Sequence, residues 1–407
     1  MIDLRTLELR CMSDSRIVES LLDNFLLRYS DERDRLSRGI AYALRPYRHI
    51  LEEMPEGWGN YLTAQLMAHT LFGENALARK YRAHAAVRGR SRTELDFFEY
   101  QLQHPWRWRF MRLIEGVGDH FYRMVDACSE EVFLVRSSSL TTIIREHRRP
   151  SMIILLTFHS GDCLQTYGPM LSFGGMLYSD ILPLARMIDK KVRTMEDVPA
   201  SMDADPIPYL MLWRFGNVPI LVHGKDVFIS HYYEVSDMVF SVEEHRKHFH
   251  IEHIDNVFHL RLKRWHGHPH FSELYYDATK RLLVVQSLTD RGWRKLTETL
   301  AAHGTHVDDS GVLRLSMFGR RIAEEHFNTT YASTAYAELF VPKMSQAQQD
   351  DLDAINRFLA IYMENENAGR VTDIRQAAAA AGISLDTARE ITQIVMEKQA
   401  QIRDKRR

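Results

Sequence analysis

Seven histidines fall within residues 248–270: His248, His250, His253, His259, His266, His268 and His270. Imidazole is the commonest protein ligand of transition metals. His250, Glu252 and His259 together offer two imidazoles and one carboxylate, a set that can hold a divalent metal with open positions. The run His266-Gly267-His268-Pro269-His270 can chelate from a loop. A second constellation, Thr157 to Cys163, gathers His159, Ser160, Asp162 and Cys163. A Cys–His nucleophile needs those two side chains within hydrogen-bond reach. Turn chemistry explains the segment without catalysis: Ser160-Gly161 as a two-residue turn places His159 opposite Asp162. Trp106, Trp108 and Phe110, with Arg107 and Arg109 between them, are residue types that stack on bases. The basic stretch Arg79–Arg92 has the charge to meet phosphates, although short charge runs are usually solvated surface. P-loop, GxSxG, HExxH and GxGxxG patterns are all absent from the sequence.

The elements that must position these residues follow from periodicity. Ile17, Leu21, Phe25 and Tyr29 recur at spacing four and predict a helix. A second helix is predicted over Trp58–Phe72, stopped by Gly73. A third runs from about Trp106 to Val125, with Phe110, Leu113, Val117, Phe121 and Met124 on one side. From residue 130 to about 286 the chain reads as short strands with turn signals. These are Val132–Arg136, Met152–Phe158, Cys163–Tyr167, Val218–Val222, Val227–Tyr233, Met238–Val242, Phe249–His253, Val257–Lys263, Phe271–Tyr276 and Leu282–Gln286. No strand–helix–strand alternation occurs, which disfavours Rossmann and TIM-barrel folds.

One hairpin can be registered from sequence alone. A turn at Asp255-Asn256 sets Ile251 opposite Leu260 and Phe249 opposite Leu262. It sets Glu252 opposite His259, His250 opposite Arg261 and His248 opposite Lys263. Apolar pairs then share one face and polar pairs the other, whereas a one-residue slip mixes them. The same register opposes the metal reading, because Arg261 and Lys263 stand on the histidine face; a solvated polar face explains the pattern equally well.

Thr289 or Asp290 then caps a helix carrying Trp293, Leu296 and Leu300, stopped by Gly304. Val341-Pro342-Lys343 reads as a linker. Ser345 opens a further helix with Gln348 three residues on, a capping-box spacing, and Leu352, Ile355, Leu359 and Met363 form its expected buried stripe.

Residues 371–395 read VTDIRQAAAAAGISLDTAREITQIV. Gly382 permits the left-handed backbone of a tight turn. Ala378, four residues earlier, lets two helices approach closely, and Ser384 can cap the second helix. Ile383, Ala388 and Ile391 supply apolar positions. The segment resembles a bacterial helix-turn-helix. The resemblance implies that the start of the second helix enters a major groove. Ser384, Thr387 and Arg389 are then the nucleic-acid-contacting residues, with Leu385 and Asp386 exposed beside them. Asp386 is electrostatically awkward there, and the tail Lys398, Arg403, Lys405, Arg406 and Arg407 partly offsets it, with Asp404 against. The body of the chain is similar to some large bacterial proteins that end in a Cys-rich SEC-C tail. That tail is absent here, so the similarity implies neither a metal ligand nor an activity.

Composition bounds the remaining choices. The 407 residues allow two or three domains, and 45% apolar with 26% charged residues is ordinary for a globular protein. A formal charge of −2 excludes a generally basic nucleic-acid coat but not a local basic patch. Cys11, Cys128 and Cys163 form no CxxC pair, so a cysteine-based zinc site and a disulfide framework are excluded and a reducing cytoplasm is expected. Residues 1–10 lack an apolar core, and the most apolar run, Met152–Phe158, is far shorter than a membrane span. The expected fold is α+β: a helical region over 1–128, an antiparallel β-rich domain over 129–343 and a helical module over 344–407. The expected function is a non-enzymatic cytoplasmic binding or regulatory protein whose C-terminal module contacts DNA, while the β domain meets a ligand or protein partner. No membrane partner is expected, and no cofactor unless a divalent metal binds His250, Glu252 and His259. The alternatives are a metal-dependent enzyme using that histidine face, and a scaffold that self-associates through a C-terminal hairpin.

Overall fold

Apolar residues five apart, Ile17 with Leu22 and Leu21 with Leu26, match the wider turn of a π-helix, and Val18–Leu26 adopts it between α-helical Leu4–Ile17 and Leu27–Asp34. Val18, Leu21, Leu22 and Leu26 are therefore buried, while Phe25 and Tyr29 are half-buried. The computed structural model describes residues 3–146, 151–331, 334–341, 346–367 and 370–404. The chain is α+β, with helical N- and C-terminal regions and central antiparallel sheets. It divides into two compact units, residues 1–336 and 337–407. In the first, the N-terminal helices and the strands that follow share one core, from Ile17 and Leu71 to Trp108 and Phe158. The helix Trp58–Phe72 ends at Gly73 as its periodicity predicts.

The helix expected over 106–125 is instead two strands, β1 (Arg107–Gly118) and β2 (Phe121–Asp126). Trp106-Arg107-Trp108-Arg109-Phe110 alternates at period two, the strand period. Trp108 and Phe110 face the shared core, whereas Met111 faces a different one. Register shifts at Leu113/Glu115 and Gly116/Gly118 insert extra residues, which gives the later apolar positions a helix-like spacing. With β3 (Val132–Arg136), β4 (Met152–Ser160) and β5 (Cys163–Phe173), these strands close in the order β1-β2-β3-β5-β4. β3 runs parallel to β5, and the helix Ser138–Glu146 connects β3 to β4. This is a five-stranded Greek-key barrel of the OB type. β4 is buried on both sides: Ile153 and Leu155 fill the barrel, while Ile154, Leu156 and Phe158 pack on the shared core. Its interior also holds an ion pair, Arg109 Nη1 to Asp126 Oδ2 at 2.6 Å, with Arg109 over the Phe133 ring.

A two-stranded ribbon, β6 (Val222–His223) and β7 (Asp226–Val227), precedes the second sheet. That sheet contains β8 (Ile229–Val235), β9 (Phe249–Ile254), β10 (Val257–Leu262), β11 (Glu273–Asp277), β12 (Leu282–Ser287) and β13 (Leu313–Ser316). Its order is β13-β8-β12-β11-β10-β9, antiparallel throughout. The β9–β10 register matches the sequence prediction, pair for pair from Phe249–Leu262 to Glu252–His259. Met238–Phe240, expected as part of a strand, is irregular, and the short helix Val242–His245 follows. Thr289 Oγ1 accepts the Gly292 N–H at 3.0 Å and caps the helix Asp290–Ala301. Trp293, Leu296 and Leu300 pack from it onto the sheet, each burial stabilising by roughly 1.5–3 kcal/mol. Asp180, in the helix Tyr178–Ile188, accepts the Ser316 N–H at 2.6 Å and the Leu177 N–H at 2.7 Å, tying that helix to β13.

The second unit contains the helices Thr334–Phe340 (in part), Gln346–Asn367, Ile374–Ala381 and Leu385–Asp404. Ala354, Phe358 and Tyr362 form the buried stripe of the long helix, not the expected Leu352, Ile355, Leu359 and Met363; Leu352 and Met363 are exposed. Large rings pack against the alanines Ala377, Ala378, Ala381 and Ala388, so aromatic positions rather than leucines set the face. Ser345, its expected cap, lies outside the described residues, as do Pro342 and Lys343 of the expected linker. Among the described residues no helix is long and apolar enough to cross a membrane.

Candidate functional site

In the C-terminal unit, Asp373 accepts the N–H groups of Arg375 and Gln376 at 3.0 and 3.1 Å and starts the helix Ile374–Ala381. Gly382, at φ 80°, ends it in the left-handed conformation. The Gly382 and Ile383 N–H groups both donate to the Ala378 carbonyl, at 2.9 and 3.1 Å. Ser384 Oγ accepts the Thr387 N–H at 3.0 Å and lies 2.8 Å from Thr387 Oγ1. Its hydroxyl and that of Thr387 are thus engaged in capping the second helix. Arg389 is exposed, with Nη1 3.5 Å from Asp386 Oδ1, and Glu390 is exposed next to it. Of the three sequence-predicted nucleic-acid contacts, Ser384 and Arg389 are exposed and Thr387 is half-buried. The side chains of Lys398 and Arg403, and residues Lys405, Arg406 and Arg407, lie outside the described residues.

The predicted metal residues sit on one sheet face with their side chains committed to different neighbours. Glu252 accepts a hydrogen bond from Arg261. Buried His259 bonds through Nε2 to Glu273 Oε2 at 2.8 Å, its Nδ1 3.9 Å from Glu252, with its ring stacked on Tyr275 at 4.4 Å. Exposed His250 packs edge-on against His266 at 5.2 Å. Among the described residues no group of three His, Cys, Asp or Glu is already set to hold a metal ion. The cation Arg261, which the register placed on this face, takes the carboxylate that a metal would need.

The Thr157–Cys163 segment also resolves structurally. Ser160 pairs with Cys163, so the turn is Gly161-Asp162 and His159 stands opposite Leu164, not Asp162. Gly161, at φ 64°, supplies the positive φ that shifts the turn by one residue. Ser160 donates to Asp14. Cys163 is buried with Cys11 and Phe121. The Cys163 Sγ donates to the Leu164 carbonyl at 3.2 Å, the neighbouring Cys163 thiol draws the Cys11 thiol below its usual range against the effect of burial, and both are free thiols. The basic stretch is laced with acids from elsewhere: Arg82 with Glu99 at 2.7 Å, Arg92 with Asp96 at 3.0 Å, and Lys80 with Asp34.

Sequence reasoning missed a cleft of about 730 Å³ in the first unit, on whose wall His69 Nε2 meets Asp203 Oδ1 at 3.1 Å. Both side chains are buried, at 8% and 9% exposure, which holds the pair in a low-dielectric setting. Ile40, Leu66 and Ile207 line the apolar part, and Glu196 and Asp205 the polar part. Burial pushes the Asp205 carboxyl above its usual range. Such a cleft, apolar with a few polar groups converging, can bind a small molecule, and a carboxylate-oriented imidazole can move a proton. His69 and Asp203 are 134 residues apart, so no local motif announces them. The available signal was Gln65 and His69, four residues apart on a largely apolar helix; both are buried.

No protein-family model matches the chain, and neither a curated protein nor a solved structure matches it.

Proposed function

We propose that the protein is a nucleic-acid-binding regulatory protein, in which the start of the helix Leu385–Asp404 contacts duplex DNA. The observation that carries this reading is the turn itself. A left-handed Gly382 and a Ser384 cap present an exposed helix start beside Arg389. The positive end of the helix dipole attracts phosphate there, and Arg389 adds the charge and the fork geometry for phosphate or guanine. Asp386 and Glu390 subtract from that field, so binding rests on few contacts and is moderate in affinity. The OB-type barrel of the first unit fits the same reading, since that architecture recurs among oligonucleotide binders, although architecture alone carries no function. Three free thiols fit a reducing cytoplasm.

The test is fluorescence-polarisation binding of untagged protein to random duplex DNA across a salt series. Binding that weakens with salt, and that falls on Arg389→Ala and on removal of residues 371–407, is expected. Binding with no salt slope, unchanged by Arg389→Ala, refutes the reading.

The buried His69–Asp203 pair favours a second role, a small-molecule input at the cleft. A ligand that raises the melting temperature of the full chain but not of His69→Ala would establish it.

A further inference from the structure

His245 ends the short helix Val242–His245 and is 1% exposed. Its Nδ1 lies 2.7 Å from the Ser241 carbonyl. A carbonyl only accepts, so Nδ1 carries the proton and Nε2 is a bare lone pair. That Nε2 is buried and, among the described residues, has no hydrogen-bond partner. A buried polar atom left unpaired costs free energy and calls for an explanation. The ring is fixed in place, stacked on Phe240 at 4.4 Å with Phe249 at 5.8 Å. Two further imidazoles adjoin it: His303 at 5.1 Å between ring centres, and His248 at 5.0 Å from His303.

We propose that His245, His303 and His248 form a binding site for a divalent transition-metal ion of the zinc class. A ring that donates one N–H to a backbone carbonyl and bares its other nitrogen is the arrangement of metal-bound histidines. Two imidazoles sharing one ion at about 2.0–2.1 Å put their ring centres roughly 5 Å apart, which is the spacing of both neighbouring pairs here. The three are not yet set as a ligand group. His248 is exposed and His303 half-buried, so their rings can turn toward the fixed His245 Nε2 without disturbing the core. Glu244 acts on His245 as a nearby negative charge, which favours a cation. Lys263 opposes it, but its Nζ is engaged by the carbonyls of Arg246 and Lys247, at 3.3 and 3.1 Å. The site is separate from His250, Glu252 and His259, whose carboxylate is taken by Arg261.

Untagged full-length protein should be dialysed against Zn2+ and titrated with Co2+, reading stoichiometry and the visible Co2+ bands. One ion per chain is expected, with affinity at least about 10-fold weaker in His303→Ala and in His248→Ala, since losing a ligand costs no less than losing a group that orients one. His245→Phe, which keeps the ring stack, should behave likewise, and His250→Ala should bind as the parent does. Absence of stoichiometric metal overturns the proposal. So does binding that survives His303→Ala and His248→Ala together, or binding lost in His250→Ala instead.

Discussion

Asp180 is fully buried between the helix Tyr178–Ile188 and β13, and it accepts hydrogen bonds from Leu177 N–H, Ser316 N–H and the Ser316 hydroxyl. Burial outweighs these donors and pushes its carboxyl from 3.8 up to about 6. The sign follows from linkage. A carboxyl that holds its proton more tightly when folded stabilises the fold below the unfolded pKa, and that contribution is lost as pH rises through the folded one. A rise from 3.8 to about 6 corresponds to roughly 3 kcal/mol lost between about pH 4 and about pH 7. Asp180→Asn removes the titration. Its NH2 group cannot accept the Leu177 N–H and Ser316 hydroxyl as Asp180 Oδ2 does, so a pH-independent loss of roughly 1–3 kcal/mol is also expected. The variant should therefore be less stable than the parent near pH 4, with a deficit that shrinks by up to about 3 kcal/mol near pH 7. Urea unfolding followed by tryptophan fluorescence reads this directly, because Trp58, Trp106, Trp108, Trp213, Trp265 and Trp293 all lie in the first unit. Comparing two proteins at each pH cancels the other titrating groups. A deficit that stays constant, or grows with pH, would show that the donors dominate, and the reasoning from burial would be wrong.

Asp126→Asn removes the carboxylate that pairs with the largely buried Arg109 side chain, which among the described residues keeps only the Thr157 hydroxyl and the Phe133 ring, and should cost up to about 3 kcal/mol in urea unfolding. Arg389→Ala should reduce the slope of log affinity for DNA against log salt by about 0.9, the value of one phosphate contact, in a polarisation titration. Gly382→Ala meets no atom of the described residues within 4 Å, so the positive φ opposes it, and the C-terminal unit should lose about 1–2 kcal/mol of stability in unfolding followed by its helical signal. Gly168→Ala should cost more in thermal unfolding, because it adds to a φ of 71° a Cβ crowded against the Gln65 side chain, which donates to Pro169 O at 2.9 Å.

The parts legible in the sequence are those that depend on near neighbours along the chain. The β9–β10 register follows from alternation across one turn, and the helices Trp58–Phe72 and Asp290–Ala301 follow from periodicity with a cap or a glycine stop. The Gly382 turn and the Ser384 cap are likewise local, which is why the C-terminal helix pair could be drawn from 25 residues. The preceding helix, Gln346–Asn367, buries a different face from the one its leucines suggest, because which side is covered depends on the alanines of the helices that follow.

Tertiary structure alone decided the rest. β1 and β2 carry bulges that blur period two into helical spacing, and only pairing with β4 and β3 makes them strands. Barrel closure depends on the parallel contact of β3 with β5, whose partners are Val135 and Leu164. His69 finds Asp203 across 134 residues, Cys11 joins Cys163 in one buried cluster, and His303 reaches His245 from the end of another helix. Local chemistry sets which backbone shape each segment prefers. Which distant side chains then meet is chosen by the burial of whole faces, a balance of chain entropy against packed area that no short window of sequence contains.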